Sequence, residues 1–221
     1  MVIGVSNTNR ALDDTEIREL LNDGLGRLDL ADKRVLVVIP DGTRTAPIPL
    51  MFRLLDELLG TGVDALDYLI ALGTHPPMDD AAKSKLLGTP VLDGKAGRSR
   101  IFNHRWEKTD TFATLGTIPA DEVAAATDGR MSIEVPVRLN RLVCGSKGDS
   151  HYDHILVCGP VFPHEVAGFS GGNKYFVPGI AGQEIIDITH WVGALMMSRH
   201  IIGVADTPVR HLIDLASAMI E

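Results

Sequence analysis

Residues Val35-Leu36-Val37-Val38-Ile39 form an unbroken, mostly β-branched apolar run that stops at the turn signal Pro40-Asp41-Gly42. A strand that alternates apolar and polar residues has one wet face, whereas one that is apolar at every position must be covered on both. The run therefore requires layers above and below a sheet, which points to an α/β architecture. The chain that follows agrees. Pro47 to Leu59 carries Leu50, Leu54, Leu55, Leu58 and Leu59 at helical spacing, and Leu66 to Leu72 is a second strand, closed by Gly73-Thr74-His75-Pro76-Pro77. A short helix follows from about Met78 to Leu87. This rhythm predicts a Rossmann-like, mostly parallel sheet flanked by helices.

Elsewhere the pattern predicts an early helix over Glu16 to Leu28 and strands over Arg98 to Asn103, Met131 to Leu139, Arg141 to Cys144 and Ile155 to Cys158. Pro119 to Ala126 reads as a short helix and Gly88 to Arg100 as a surface loop. Gln183 to Arg199 is a helix whose apolar stripe is Ile185, Ile188, Val192 and Leu195, with His190 on the opposite side. Pro208 opens a last helix containing Leu212, Leu215 and Met219, at the position where proline is best tolerated.

At 221 residues and 45% hydrophobic, the chain can bury one sizeable core. A formal net charge of −8 argues against a nucleic-acid partner. No apolar run reaches the roughly 18 residues that cross a bilayer. The N-terminus, Met1-Val2-Ile3-Gly4-Val5, lacks the basic and apolar segments of a signal peptide. Cys144 and Cys158 sit in apolar runs as reduced thiols, which fits a cytoplasmic protein without membrane or nucleic-acid partners.

Four loops place polar or titratable residues just after an apolar strand: Asp41-Gly42-Thr43-Arg44, Gly73-Thr74-His75, Asn103-His104 and the segment His164 to Lys174. In a parallel sheet such loops gather at one carboxyl edge, where ligands bind. The segment Pro163-His164-Glu165-Val166-Ala167-Gly168-Phe169-Ser170-Gly171-Gly172-Asn173-Lys174 is the densest of them. Gly171 and Gly172 let the backbone turn sharply beside a bound group, and Lys174 offers it an amine.

Each residue also has a structural reading. Asp41 suits an Asx turn or a helix cap as well as a site. Arg44 is either a loop charge or a fork for a carboxylate. His75 is a rigid turn residue or an imidazole steadied by Pro76 and Pro77. His104 beside Trp106 is read as packing, and His151-Tyr152-Asp153-His154 as a solvated turn, since a zinc site there would lack further ligands at helical spacing. His200 and His211 have no motif around them and are read as structural. The Gly168 to Lys174 stretch fails as a P-loop, because Asn173 precedes the lysine and Tyr175 replaces the magnesium-binding hydroxyl.

Three stretches carry a family likeness: Asp41-Gly42-Thr43-Arg44, Ala71-Leu72-Gly73-Thr74-His75, and Pro163 through Lys174, continuing by Pro178-Gly179-Ile180 to His190. In them the chain resembles the N-terminal catalytic domain of the nickel-dependent lactate racemase family. The resemblance implies a nickel-pincer nucleotide cofactor attached covalently through Lys174, with Gly171, Gly172 and Asp41 beside it and His190 as a nickel ligand. It implies His75 and His164 as the acid/base pair and Arg44 as the contact to the carboxylate of a 2-hydroxy acid. Pro76 and Arg105 depart from the family pattern and leave the choice of hydroxy acid open. Family enzymes are roughly twice as long, on the scale of two domains against one. Residues 1–221 are therefore expected to form the first domain, with a C-terminal domain supplied by the same or another chain. The competing readings are a domain that binds a nucleotide, metal cofactor or anion without turnover, and a zinc-dependent hydrolase.

Overall fold

The computed structural model describes residues 2–148 and 151–220. Helix α1 (Asp14–Leu25) starts earlier than expected because Asp13 caps it, accepting from the Thr15 and Glu16 amides while Glu16 reaches back to the Asp13 amide. Strand β1 (Arg34–Pro40) is buried throughout except at Arg34. Helix α2 (Ile48–Leu59), strand β2 (Ala65–Ala71) and helix α3 (Asp80–Leu87) follow, then β3 (Lys95–Ala96) and β4 (Ser99–Asn103). Beyond them come β5 (Phe112–Ile118), α4 (Ala120–Ala126), β6 (Val135–Asn140), β7 (His154–Val157), the short pair β8 (Pro163–His164) and β9 (Gly168–Phe169), α5 (Gln183–Met196) and α6 (Pro208–Ser217).

The central sheet has the order β3-β4-β2-β1-β7. Strands β4, β2, β1 and β7 are parallel, and only the edge strand β3 runs against its neighbour. The chain builds outward from β1 through β2 to β4, then returns to lay β7 on the other side of β1. The order reverses between β1 and β7, and the crevice at such a reversal is where open α/β sheets bind ligands.

Both faces of β1 are covered, as its composition demands. Val35, Val37 and Ile39 pack with Leu66, Tyr68 and Ile70 against Ile48, Phe52, Leu55 and Leu59 of α2 and Leu86 and Leu87 of α3. Leu36, Val38 and Leu69 face a second core built from the β5–β6 ladder, α5 and α6, including Val137, Leu139, Ile185, Val192, Leu212 and Ile213.

The sequence expectations need five corrections here. Strand β5 was not expected: a bulge between Thr114 and Gly116 breaks the alternation, so only Leu115 and Ile118 are buried along it. Arg141–Val143 is a 3-10 turn and not a strand, because Asn140 accepts from the Leu142 amide and turns the chain. The expected surface loop from Gly88 contains β3 and buries Val91 and Ala96. The buried face of α5 is Ile185, Ile186, Thr189, Val192 and Gly193, while Leu195 is exposed. The stripe is rotated because Gly193 lies against Val166, close enough that a Cβ there would meet the Val166 side chain at 2.8 Å.

The fifth concerns His151 to His154, which is no solvated turn. Tyr152 donates to Asp67 at 2.7 Å, Asp153 accepts from the Arg34 amide at 2.8 Å, and His154 Nε2 lies 2.9 Å from the Asp29 carbonyl. These contacts fasten the start of β7 to the sheet.

Candidate active site

A cavity of about 470 Å³ lies at the carboxyl ends of β1, β2 and β7. It is lined by Asp41 and Arg44 after β1, His75 after β2, His164 and Glu165 after β7, Gly171 and Lys174 in the glycine bend, and His190 on α5. Three of the four expected loops therefore meet. The fourth does not. Asn103 instead bonds both ways with Met78, through Oδ1 to the amide at 3.2 Å and through Nδ2 to the carbonyl at 2.8 Å. His104 is fully buried, edge-on to Phe112 at 5.5 Å and 3.1 Å from Asn140 Nδ2, while Trp106 is exposed. Packing was the right expectation for His104, with a different partner. Burial pushes its pKa down to about 4.

Asp41 is 6% exposed and uses both oxygens within the protein. Oδ1 closes the Asx turn, accepting the Thr43 amide at 3.1 Å and the Thr43 hydroxyl at 2.6 Å. Oδ2 accepts His75 Nδ1–H at 2.5 Å. Burial alone would raise the Asp41 pKa; the bonds from Thr43 and His75 outweigh it and hold the carboxyl below the usual range. An ionised carboxylate on Nδ1–H leaves His75 Nε2 as a lone pair at the cavity. The turn reading and the site reading of Asp41 are therefore both realised. Arg44 is exposed, and its guanidinium makes no hydrogen bond to the described residues.

The hairpin of β8 and β9 presents His164. Its Nδ1 accepts the Val166 amide at 3.0 Å and, more weakly, the Ala167 amide at 3.4 Å. Burial first, then the charge of Lys174, lowers its pKa to about 4, well away from the near-neutral value expected of an acid/base imidazole. Gly171 has φ of +82°, and a Cβ there would sit 2.5 Å from Val161 Cγ2, so this bend accepts only glycine. Gly172 also has positive φ, but faces open space and does not line the cavity.

The bend leads into a 3-10 turn, Gly172–Tyr175, that carries Lys174 inward. Burial, then the charges of Arg44 and Arg210, lower the Lys174 pKa to about 8, with Glu165 opposing. A substantial share of this amine is therefore neutral and nucleophilic near physiological pH. His190 Nδ1 lies 2.7 Å from the Ile186 carbonyl, an acceptor that selects the Nδ1–H tautomer of the neutral ring, with its lone pair on Nε2. Metal-ligating histidines are held in this manner. Among the described residues no three His, Cys, Asp or Glu side chains assemble as a metal site. An ion at His190 would take its other ligands from a bound group.

Tyr175 and Glu165 were not picked out from the sequence. The Tyr175 ring packs so closely on Gly159 that a Cβ there would meet the hydroxyl at 1.9 Å. That glycine, two residues beyond β7, was the available signal. Phe162 lines the cavity and is 51% exposed, and the residues next in sequence to the lining residues Phe162 and His190, Val161 and Trp191, are 63% and 66% exposed. No helix among the described residues is long and apolar enough to cross a membrane.

Comparison with known proteins agrees with this fold. The lactate racemase of Thermoanaerobacterium thermosaccharolyticum is 28% identical over 193 residues, which is 85% of this chain and 40% of that enzyme. A crystal structure of a Thermotoga maritima protein superposes with a TM-score of 0.82 at 34% identity, covering 94% of this chain and 48% of that one. The lactate racemase apoprotein of Thermoanaerobacterium thermosaccharolyticum shares the fold, with a TM-score of 0.66 at 20% identity over 93% of this chain and 46% of that one. The chain thus spans less than half the length of these relatives. With its sequence matching the family's profile over residues 6–202, this chain belongs to the lactate racemase N-terminal domain family.

Proposed function

We propose that this domain anchors a nickel-pincer nucleotide and, with a second domain over the cavity, racemises or epimerises a 2-hydroxy acid. The observation that carries the reading is the convergence of a nucleophilic lysine, a carboxylate-backed histidine and a histidine with a free Nε2 on one cavity. The residues fit the cofactor. Lys174 supplies an amine for the covalent link, Gly171 keeps the adjacent wall free of side chain, and His190 Nε2 is a single nitrogen donor for a metal whose other ligands arrive with the nucleotide. When bound, the nickel-pincer nucleotide supplies reversible acceptance of hydride from the substrate carbon.

The protein's own part is binding and proton traffic. Arg44 takes the substrate carboxylate with its unoccupied fork. His75 takes the hydroxyl proton at Nε2, and the ionised Asp41 stabilises the imidazolium that results. His164 is the second imidazole at the cavity and serves the same oxygen from another direction. The exposed Val161, Phe162 and Trp191 form an apolar rim that suits a covering domain, which would exclude water during transfer.

Co-expression with the cofactor-building enzymes tests the reading. The expected outcome is a mass increase that maps to Lys174, stoichiometric nickel, and racemisation once the second domain is present; Lys174→Ala carries no adduct. Unmodified protein with no nickel under those conditions would refute it. The His164 imidazole, whose pKa burial and Lys174 lower to about 4, favours a second reading, a holder of the cofactor without turnover. Cofactor bound with no racemisation in the presence of the second domain would select it.

A further inference from the structure

Three imidazoles face the cavity, and their second nitrogens are engaged in different ways. His75 and His190 both point Nδ1 at an acceptor: the Asp41 carboxylate at 2.5 Å and the Ile186 carbonyl at 2.7 Å. An acceptor at Nδ1 places the proton there and leaves Nε2 as a lone pair. His164 is the reverse. A backbone amide can only donate, so the Val166 N–H at 3.0 Å requires a lone pair on His164 Nδ1 and places the ring proton on Nε2. The Glu165 carboxylate, 3.7 Å from the same Nδ1, is beyond hydrogen-bond distance and largely exposed, so it does not compete with that amide.

We infer that the two imidazoles assigned to proton transfer are preset in opposite tautomers, so that a 2-hydroxy acid meets one proton acceptor, His75, and one hydrogen-bond donor, His164. The inference deepens the racemase reading and rests on it for the identity of the ligand. Its consequence is that the two enantiomers are not received equivalently. One finds its base ready at His75. For the other, His164 must first give up Nε2–H and detach Nδ1 from the Val166 amide. A racemase has an equilibrium constant of one, so kcat/KM is equal in both directions, and the asymmetry appears in kcat and KM taken separately.

The test is long-range 1H–15N correlation on the histidine-labelled domain at neutral pH, with His75 and His164 assigned from His75→Gln and His164→Gln. The expected result is His75 as the Nδ1–H form and His164 as the Nε2–H form, each by about tenfold or more, equivalent to about 1.4 kcal/mol. Finding both rings in one tautomer, or His164 as an even mixture, overturns the inference. If either variant fails to fold, the remaining one still assigns its own histidine, and substitution of the other six histidines in turn identifies the second.

Oxidation of each single enantiomer to the keto acid by the loaded protein gives an independent arm, because full racemisation moves a proton at both imidazoles in every turnover. A glutamine amide can donate as Nε2–H does but cannot act as a base. His164→Gln is therefore expected to oxidise the enantiomer received by His75 at least about tenfold faster than the other, and equal rates for the two enantiomers would overturn the donor role. Opposite tautomers in a protein that does not racemise would refute the racemase reading and leave the tautomer assignment standing.

Discussion

The two ends of the sheet hold comparable polar clusters that do opposite things. At the amino end Asp67 is 2% exposed and fully subscribed. It accepts the Arg100 amide at 2.8 Å, the Arg100 side chain at 3.0 and 2.6 Å, and the Tyr152 hydroxyl at 2.7 Å. At the carboxyl end Asp41 is buried nearly as well, and it too holds one cationic or polarisable partner. Arg100, however, has no lone pair and does not titrate in the accessible range, so its pairing with Asp67 ends in structure. His75 passes the effect of Asp41 through its ring to an Nε2 that remains open. A buried carboxylate becomes part of a reactive site when its partner keeps one valence facing a cavity.

The comparison can be broken most sharply at His75. His75→Ala is expected to lower racemisation by the loaded protein about 10²- to 10⁴-fold, the range of a lost general base. Unchanged turnover would show that the open valence is not used. Asp41→Asn keeps the shape but offers Nδ1–H a weaker partner, and is expected to cost about 10²-fold in kcat. Asp67→Asn, the same change at the other end, should leave kcat alone.

The amino-end cluster answers instead in stability. Removing one partner of a buried pair costs about 3–5 kcal/mol. The Arg100 side chain is 43% exposed and can turn to water, so Asp67→Ala is expected to lose about 2 kcal/mol in urea unfolding. The folded Asp67 pKa is depressed: burial alone would raise it, but Arg100 and Tyr152 outweigh that. Its contribution is therefore present above the ordinary aspartate range and is lost as pH falls through the folded value. Wild type and Asp67→Ala should converge in acid; a difference that persists there would assign the loss to packing.

Lys174 sharpens the comparison from the opposite sign. A lysine whose pKa falls to about 8 on folding opposes folding while it is charged. Lys174→Met is therefore expected to stabilise the domain by about 1–3 kcal/mol below pH 8. The gain should shrink as pH rises from 8 through the ordinary lysine range, where the unfolded amine also loses its proton. A destabilised Lys174→Met would mean that the lysine stem, and not its charge, is what the bend requires.

The layered architecture was written in local pattern. Val35 to Ile39 is apolar at every position and fits only between two layers, and the strand–loop–helix recurrence by itself puts Asp41, His75 and His164 after strands. Where local pattern was broken, the reading failed. The bulge at Thr114–Gly116 hid β5, and the contact of Gly193 with Val166 rotated α5 by more than its own periodicity revealed. His104 carried the same strand-end signature as His75, and its reading as packing held with other partners than Trp106: Phe112 and Asn140 of a ladder distant in sequence close over it.

Sequence alone determined which residue types stand at the carboxyl edge, since strand ends follow from runs of neighbouring residues. Only the tertiary structure decided what each one is chemically. A histidine's proton position depends on what faces its second nitrogen: the Asp41 carboxylate comes from 34 residues away in the case of His75, and a backbone amide of the β8–β9 turn in the case of His164. The Lys174 amine likewise acquires its reactivity from burial and from Arg44 and Arg210, neither of which is its neighbour along the chain. Electrostatic environment is set by distance in space, and no local pattern encodes it.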